Sequence, residues 1–444
     1  MPKPTILHAG PISAKFADGQ LRYLCVGDRE IARRIYFAVR DDKWATPEPV
    51  FTKVDLKQED DSFTITLAAD CKSPKADYSW RGTITGTSSG EITFEAEGFA
   101  NHAFRSNRIG ICLLFGAEAL AGQKFQTANE SGEITPSEFP KLIPPVLLAE
   151  KFQELRYTTN DLMEVRVRLE GSLFGMEDQR NYGDSSYKAF APLGYSYPEV
   201  PHDLVMRQKL SISVLGALAT KGKSAVPRLK IGEAIPGTAL PKITEADPAA
   251  TPPPSFDTVN RHREKYAAEK VITISYNPTE HLRDDDTVME NTTAPLDQVR
   301  TIQSFAPEAA VRIGAITFAP KDPEIVEPRL ETDFAAAWSL RILKALAASG
   351  AKEAAFGVDG SPAAEIRREL GAHSGATLVE TTVEGPCHPL VDALCLEQDQ
   401  KRALWLVNLT GELQEIALPG KKHPEALAPW EVREMNPGDF PRGN

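Results

Sequence analysis

Ser62-Phe-Thr-Ile-Thr-Leu67 sets Phe63, Ile65 and Leu67 on one side of the chain and Ser62, Thr64 and Thr66 on the other. Successive side chains of a strand point to opposite faces, so this alternation predicts a strand with one face in a core and the other in water. The rhythm recurs on both sides of it. Ile92, Phe94 and Ala96 follow the Ser88-Ser89-Gly90 turn, Val165, Val167 and Leu169 repeat the pattern, and Leu210, Ile212 and Val214 close it. Asp18-Gly19 and Gly27-Asp28 read as hairpin turns, because Gly accepts positive φ and Asp can bond its own backbone. No long amphipathic helix pattern interrupts this stretch. A dozen or so strands over about 220 residues predicts a large antiparallel β-sandwich, with residues 1–231 as its domain.

Residues 232–257 hold six prolines, which can neither donate to a ladder nor extend a helix, and are read as a linker. Beyond it the period changes. A helix-like stretch near 258–268 leads to the strand Val271-Ile-Thr-Ile-Ser-Tyr276, a helix near 295–305 and the strand Val311-Arg-Ile-Gly-Ala-Ile-Thr-Phe318. Phe334 to Ser349 is the strongest helix, with apolar residues at three- and four-residue spacing, Thr332 or Asp333 as cap and Gly350 past its end. A strand (353–358), a helix (362–371) and a strand (376–382) complete an alternation that implies parallel strands with crossover helices. A closed eight-fold barrel takes about 200 to 250 residues, so the segment 258–400 is expected to be a truncated β/α domain. Ala403-Leu-Trp-Leu-Val-Asn-Leu409 and Glu415-Ile-Ala-Leu418 return to strand patterning, giving a C-terminal β segment and tail over 401–444. The expected fold class is thus β plus α/β.

Composition narrows the function. The 444 residues carry 50 Lys+Arg against 62 Asp+Glu, a formal charge of −12, which repels both a phosphate backbone and an anionic lipid surface. No basic patch reverses that sign, so neither nucleic acid nor membrane is expected as a partner. The opening Met1-Pro-Lys-Pro-Thr-Ile-Leu-His8 has no long apolar run or small-residue cleavage site, and no segment approaches the roughly 20 apolar residues of a membrane span. A cytoplasmic location is expected. Five cysteines without any CxxC spacing indicate neither a disulfide framework nor a zinc knuckle, and most are expected to be small buried hydrophobes. No metal or cofactor is required by the pattern.

Motifs for familiar chemistries are missing or imperfect. Gly216-Ala-Leu-Ala-Thr-Lys-Gly222-Lys-Ser224 has five residues between its glycines where a phosphate loop has four, and no helix start follows. There is no GxSxG elbow, HExxH or GxGxxG. The run Met176-Glu-Asp-Gln-Arg-Asn-Tyr-Gly-Asp-Ser-Ser-Tyr-Lys188 stands out because charged, amide and aromatic groups crowd together without a period. Such groups can hold a sugar-like ligand, with Arg180 or Lys188 on a carboxylate; a solvated loop tied by Asp–Arg pairs is the competing reading. Tyr276-Asn-Pro-Thr-Glu-His281 lies at the C-terminal end of a β/α strand, where substrates usually bind, and His281 can act as a base near neutral pH. Asp284, Asp285 and Asp286 can serve a metal, cap a helix or face water, and Glu380 is a candidate second carboxylate or an exposed strand end. Cys387-His388 are adjacent in sequence, and such neighbours rarely face each other.

Taken together, these runs resemble the D-apionate lactonase family, sugar-acid lactonases related to glycoside hydrolases that pair a β-sandwich with a (β/α) barrel. The strongest likeness is Phe174-Gly-Met-Glu-Asp-Gln-Arg-Asn-Tyr-Gly-Asp-Ser-Ser-Tyr-Lys-Ala-Phe190, with Tyr182 where the family often has Trp. Ile35-Tyr-Phe-Ala-Val-Arg-Asp-Asp-Lys-Trp44, Asn107-Arg-Ile-Gly110, Ser275-Tyr-Asn-Pro-Thr-Glu-His281 with Asp285, and Leu406-Val-Asn-Leu-Thr410 are similar to further family runs. The departures are as informative. The interval that carries the first half of the family's barrel shrinks here to the proline segment and one short helix, so a half barrel is expected and an early acid is missing. The family's late Glu-Thr-Thr matches Glu380-Thr-Thr382 in letters, but by position after the Phe334 helix it matches Phe356-Gly-Val-Asp-Gly360, which has no glutamate.

Two functions are therefore expected as alternatives. In the first, the chain hydrolyses a sugar-acid lactone, with Glu177, His281 and Glu380 as catalytic candidates. Asp178, Arg180, Asn181, Asp184, Lys188, Asn277 and Asp285 would then grip substrate. In the second, it is a non-catalytic carbohydrate-binding or scaffold paralogue that lost half its barrel, with a homodimer covering the open β/α edge.

Overall fold

Along Phe63–Lys72 buried and solvent-facing positions alternate, with Phe63, Ile65, Leu67, Ala69 and Cys71 inward. The neighbouring strand Asp77–Thr87 runs antiparallel to it and places Gly86 opposite Phe63. Only glycine fits there, since a Cβ on Gly86 would stand 2.2 Å from the Phe63 ring. A computed structural model describes residues 3–159, 163–191, 199–202, 204–216, 226–320, 325–357 and 360–435. The chain divides into two units, Met1–Asp178 with Ser186–Lys223, and Gln179–Ser185 with Ser224–Asn444.

The first unit holds the expected sandwich, an eight-stranded and a nine-stranded sheet whose pairings are all antiparallel. One apolar core joins them, drawing Ile35, Ile109, Ile111 and Tyr187 from the first sheet and Ile65, Phe94, Val167 and Ile212 from the second. Burying each such side chain contributes about 1.5–3 kcal/mol, which over a core of this size supplies the main drive to fold. The Asp18-Gly19 hairpin has positive φ at both residues (48° and 71°), as a two-residue turn matched to strand twist requires. The two sheets differ in one respect that period-two reading did not reveal. In Arg29–Asp41, Ser106–Gly116 and Ser186–Phe190 nearly every residue is buried, on both faces.

In the second unit, Lys242–Glu245, Glu353–Phe356, Ala310–Ile316 and Val271–Tyr276 form a four-stranded parallel sheet in that spatial order. Ala294–Phe305 and Asp333–Ser349 are crossover helices, and the latter stops at Gly350 in the left-handed region (φ 80°). This is the truncated β/α arrangement. The proline-rich segment, however, is more than a linker: between its prolines it lends Lys242–Glu245 to the parallel sheet. The strand over 376–382, expected to be parallel, is Thr377–Glu384 and lies antiparallel between Arg228–Ala234 and Val391–Gln398. Lys401–Asn408 and Val432–Met435 complete that five-stranded sheet, so the C-terminal β segment pairs with it. Among the described residues no helix is long and apolar enough to cross a membrane. The imperfect phosphate-loop run at 216–224 lies almost wholly outside the described residues.

Candidate functional site

The polar run after strand Phe174–Asp178 leaves the sandwich pattern at Gln179, and Gln179–Ser185 belongs to the second unit. A turn of 3-10 helix over Gln179–Tyr182 and Gly183 with φ 98° bring Asp184 round to the end of the parallel strand Val271–Tyr276. There the Asp184 carboxylate meets His281 Nδ1. Its other oxygen accepts from Asn291 Nδ2 at 2.7 Å, and Asn291 Oδ1 accepts from the Ser185 amide at 3.0 Å. The Tyr276 hydroxyl donates to the carbonyls of Gly183, at 3.0 Å, and Asn291. Burial first, and the Asp184 charge second, push its phenol well above the ordinary value, which keeps it a donor. The His281 ring stands edge-on to Tyr182, with centroids 5.7 Å apart.

This arrangement has a defined chemical capacity. A carboxylate on Nδ1 fixes the neutral tautomer with its proton there, which makes Nε2 the acceptor nitrogen, and it stabilises the imidazolium formed when Nε2 takes a proton. The side chains of Asp184 and His281 are 7% and 11% exposed, so the pair acts in a medium less screened than water. Pairing of His281 with Asp184 joins two residues that the sequence placed in different roles.

The other sequence candidates are placed as follows. Arg180 is fully buried and its Nη1 bonds Asp297 at 2.7 Å, while its carbonyl accepts from Gln298. Asn181 Oδ1 accepts from Asn260. Asn277 builds its own strand end, taking the Thr279 amide and hydroxyl and donating to the Ala319 carbonyl. Asp284 caps the helix Asp285–Glu290, and Asp285 pairs with Arg329. These four candidates, Arg180, Asn181, Asn277 and Asp285, thus have bonds that shape the scaffold. Glu380 is exposed on a strand of the antiparallel sheet, not at the end of a parallel strand, so it is not a second carboxylate of this strand end. The parallel strand after the Phe334 helix is Glu353–Phe356, which ends at Phe356, where the run Phe356 to Gly360 has no glutamate.

Glu177, Asp178 and Lys188 belong to the sandwich unit. Asp178 is buried at its strand end. Glu177 and Lys188 pair across two strands, Nζ to Oε1 at 3.3 Å, and Arg108 reaches the same oxygen at 3.1 Å. Sequence reasoning did not single out Arg108, Asn260, Asn291 or Asp297. Arg108 lies in a run quoted for the family likeness, whereas Asn291 and Asp297 sit on helical turns whose pattern carries no mark of their partners. A hollow of about 350 Å³ elsewhere in the sandwich unit is lined by Gln126, Gln153, Glu154 and Arg168. Burial raises the Glu154 carboxyl, but Arg166 and Arg156 outweigh that and hold it low, so its charge is already balanced. Among the described residues no three His, Cys, Asp or Glu are grouped to hold a metal.

Comparison with known proteins matches residues 1–217 to a family model described as the N-terminal domain of D-apionate lactonase, and residues 249–394 to the TIM barrel domain of D-apionate lactonase. A curated D-apionate lactonase from Brucella anthropi is 33% identical over 201 residues, 44% of this chain and 32% of that protein. The matched stretch thus spans about a third of that relative's length. Among solved structures, a galactose mutarotase-like protein from Lactobacillus casei aligns at 9% identity over 48% of this chain and all of its own, with a TM-score of 0.32. The alpha-galactosidase from Lactobacillus brevis aligns at 9% identity over 83% of this chain and 66% of its own, also at 0.32.

Proposed function

Because the chain belongs to the D-apionate lactonase family, we propose that it hydrolyses the ester bond of a sugar-acid lactone, with His281 as general base. The observation that carries this reading is the Asp184 carboxylate on His281 Nδ1, itself held by Asn291. Water adds to the lactone carbonyl as its proton passes to His281 Nε2. The ring C–O bond then breaks, and the imidazolium returns that proton to the departing alkoxide, leaving a hydroxy acid. Asp184 stabilises the imidazolium in between and stays ionised. General base catalysis of this kind supplies about 10²–10⁴ in rate.

The alternative, a carbohydrate-binding paralogue without turnover, draws on the four-stranded parallel sheet, half the strand number of a closed barrel. Lactone hydrolysis in water enriched with ¹⁸O separates the two. Ring opening by the proposed route places one label in the product carboxylate and none in the ring-derived hydroxyl. Binding of lactone with no labelled product at a rate above the uncatalysed reaction would favour the alternative.

A further inference from the structure

Strand register accounts for the hollow of about 350 Å³ in the sandwich unit. Ile134, Ala128, Glu154 and Arg168 stand side by side across the strands Ile134–Glu138, Lys124–Ala128, Glu154–Thr158 and Glu164–Glu170. Leu155, Val167 and Leu169 of the same strands enter the core, so Glu154 and Arg168 face outward. Ala128 presents only a methyl between Ile134 and Glu154, and all three line the hollow. The turn after Lys124–Ala128 walls one end. There Asn129 Oδ1 accepts the amides of Ser131 and Glu133, at 3.1 and 3.0 Å, and Asn129 Nδ2 donates to the Glu133 carboxylate at 3.0 Å. That wall is braced before any ligand arrives, which lowers the ordering cost of binding.

Glu154 gathers three arginines. One of its oxygens meets Arg156 Nε, and the other accepts from Arg166, at 2.7 and 3.0 Å, and from Arg168 Nε at 3.3 Å. Arg156 and Arg168 use only Nε there, and their Nη groups have no hydrogen-bond partner among the described residues. The side-chain amides of Gln126 and Gln153, which also line the hollow, have none among them either. Guanidinium forks and amides supply the donors and acceptors that hydroxyls need, and Ile134, 58% exposed, adds an apolar face. Charge decides between a neutral and an acidic ligand. Glu130, Glu154 and Glu170 stand against Arg156, Arg166 and Arg168, three against three, so the hollow has no net charge to draw an anion. Its volume lies at the small end of the roughly 300–1,000 Å³ of ligand sites, room for one sugar ring rather than a chain.

We propose that this hollow binds one ring of a neutral sugar, with the Arg156 and Arg168 forks and the Gln126 and Gln153 amides on its hydroxyls and Ile134 against its C–H face. The inference rests on residues of the sandwich unit and does not depend on His281. Saturation-transfer NMR titration of the full chain tests it with the methyl glycosides of glucose, galactose and xylose, and with methyl glucuronide and methyl galacturonide. At least one neutral glycoside binds with a Kd of about 10 mM or tighter, and the uronides bind at least about tenfold more weakly than the best of these. Ala128→Leu fills the hollow and abolishes binding, Arg168→Gln weakens it about tenfold and Gln126→Ala about fivefold, while His281→Ala leaves the affinity unchanged. Should Ala128→Leu lower the melting temperature, the results for Arg168→Gln and Gln126→Ala, both on the exposed face, decide. No binding by any neutral glycoside, a uronide as tight as the best of them, or affinities indifferent to the three substitutions in the hollow would overturn the proposal. So would binding lost in His281→Ala but kept in Ala128→Leu, which puts the sugar elsewhere. Loss of lactone hydrolysis alone would not.

Discussion

Replacing Lys188 by Met changes stability by an amount that depends on pH in a specified direction. The Lys188 side chain is 1% exposed. Burial first and Arg108 second lower its amine from 10.5 to about 8, against the upward pull of Glu177. In the unfolded chain the amine keeps its ordinary value. Below about pH 8 both states hold the proton, and the folded protein bears the full cost of burying a charge. Between about pH 8 and 10.5 the unfolded chain binds more protons than the folded one, so this residue's contribution to stability rises with pH. At about 1.36 kcal/mol per unit, the shift amounts to about 3 kcal/mol. Methionine has similar length, no charge and no titration, and Glu177 keeps its bond to Arg108. Urea denaturation of both proteins at pH 7, 8, 9 and 10 measures the difference, in which every other titrating group cancels. Lys188→Met is expected to be favoured most at pH 7, with its advantage shrinking by about 3 kcal/mol towards pH 10.5. A stability difference that stays constant across that range would refute the reasoning.

Three further outcomes follow from single contacts. Burial raises the Asp392 carboxyl, but Lys344, at 2.6 Å, and Arg341 outweigh it and hold it below the ordinary value. Asp392→Asn leaves both cations unanswered and is expected to cost about 3–5 kcal/mol in urea denaturation at pH 7. Since a lowered carboxylate stabilises above its unfolded pKa of about 3.9 and loses that contribution as pH falls through the folded value, the variant's deficit should shrink in acid. Gly86→Ala drives a methyl into the Phe63 ring and is expected to cost about 1–3 kcal/mol, read as a lower melting temperature. Asp184→Asn keeps an acceptor for Asn291 but removes the charge beside His281, so lactone turnover should fall about 10²–10⁴-fold with little change in melting temperature.

The sandwich was legible because strands covered on one face write period two into the sequence, as Phe63, Ile65 and Leu67 do. Arg29–Asp41 obeys no such rule, since it is buried on both sides, and nothing in its own letters shows that the fold places Arg34 and Arg40 inside. Gly350 and the apolar spacing before it located the long helix to within a residue. Strand direction was harder: Thr377–Glu384 looks like any β/α strand locally, and only its long-range partner Arg228–Ala234 makes it antiparallel. For the same reason Glu380 could not be excluded from the sequence. The crowded run from Glu177 to Lys188 did announce unusual chemistry, but not that it divides, with Asp184 in one unit and Lys188 in the other. Which side chain a buried polar group meets is set by tertiary contacts, and the Asp184–Asn291 pair lies 107 residues apart.

The central claim is that His281, oriented by Asp184, activates water on a sugar-acid lactone. Proton release recorded in a pH-stat from a panel of purified aldonolactones tests it directly, on the wild-type chain and on His281→Ala. The account predicts one proton per lactone opened and a fall in kcat of at least about 100-fold in the variant at unchanged melting temperature. A His281→Ala protein that turns over lactone as fast as the wild type would contradict it.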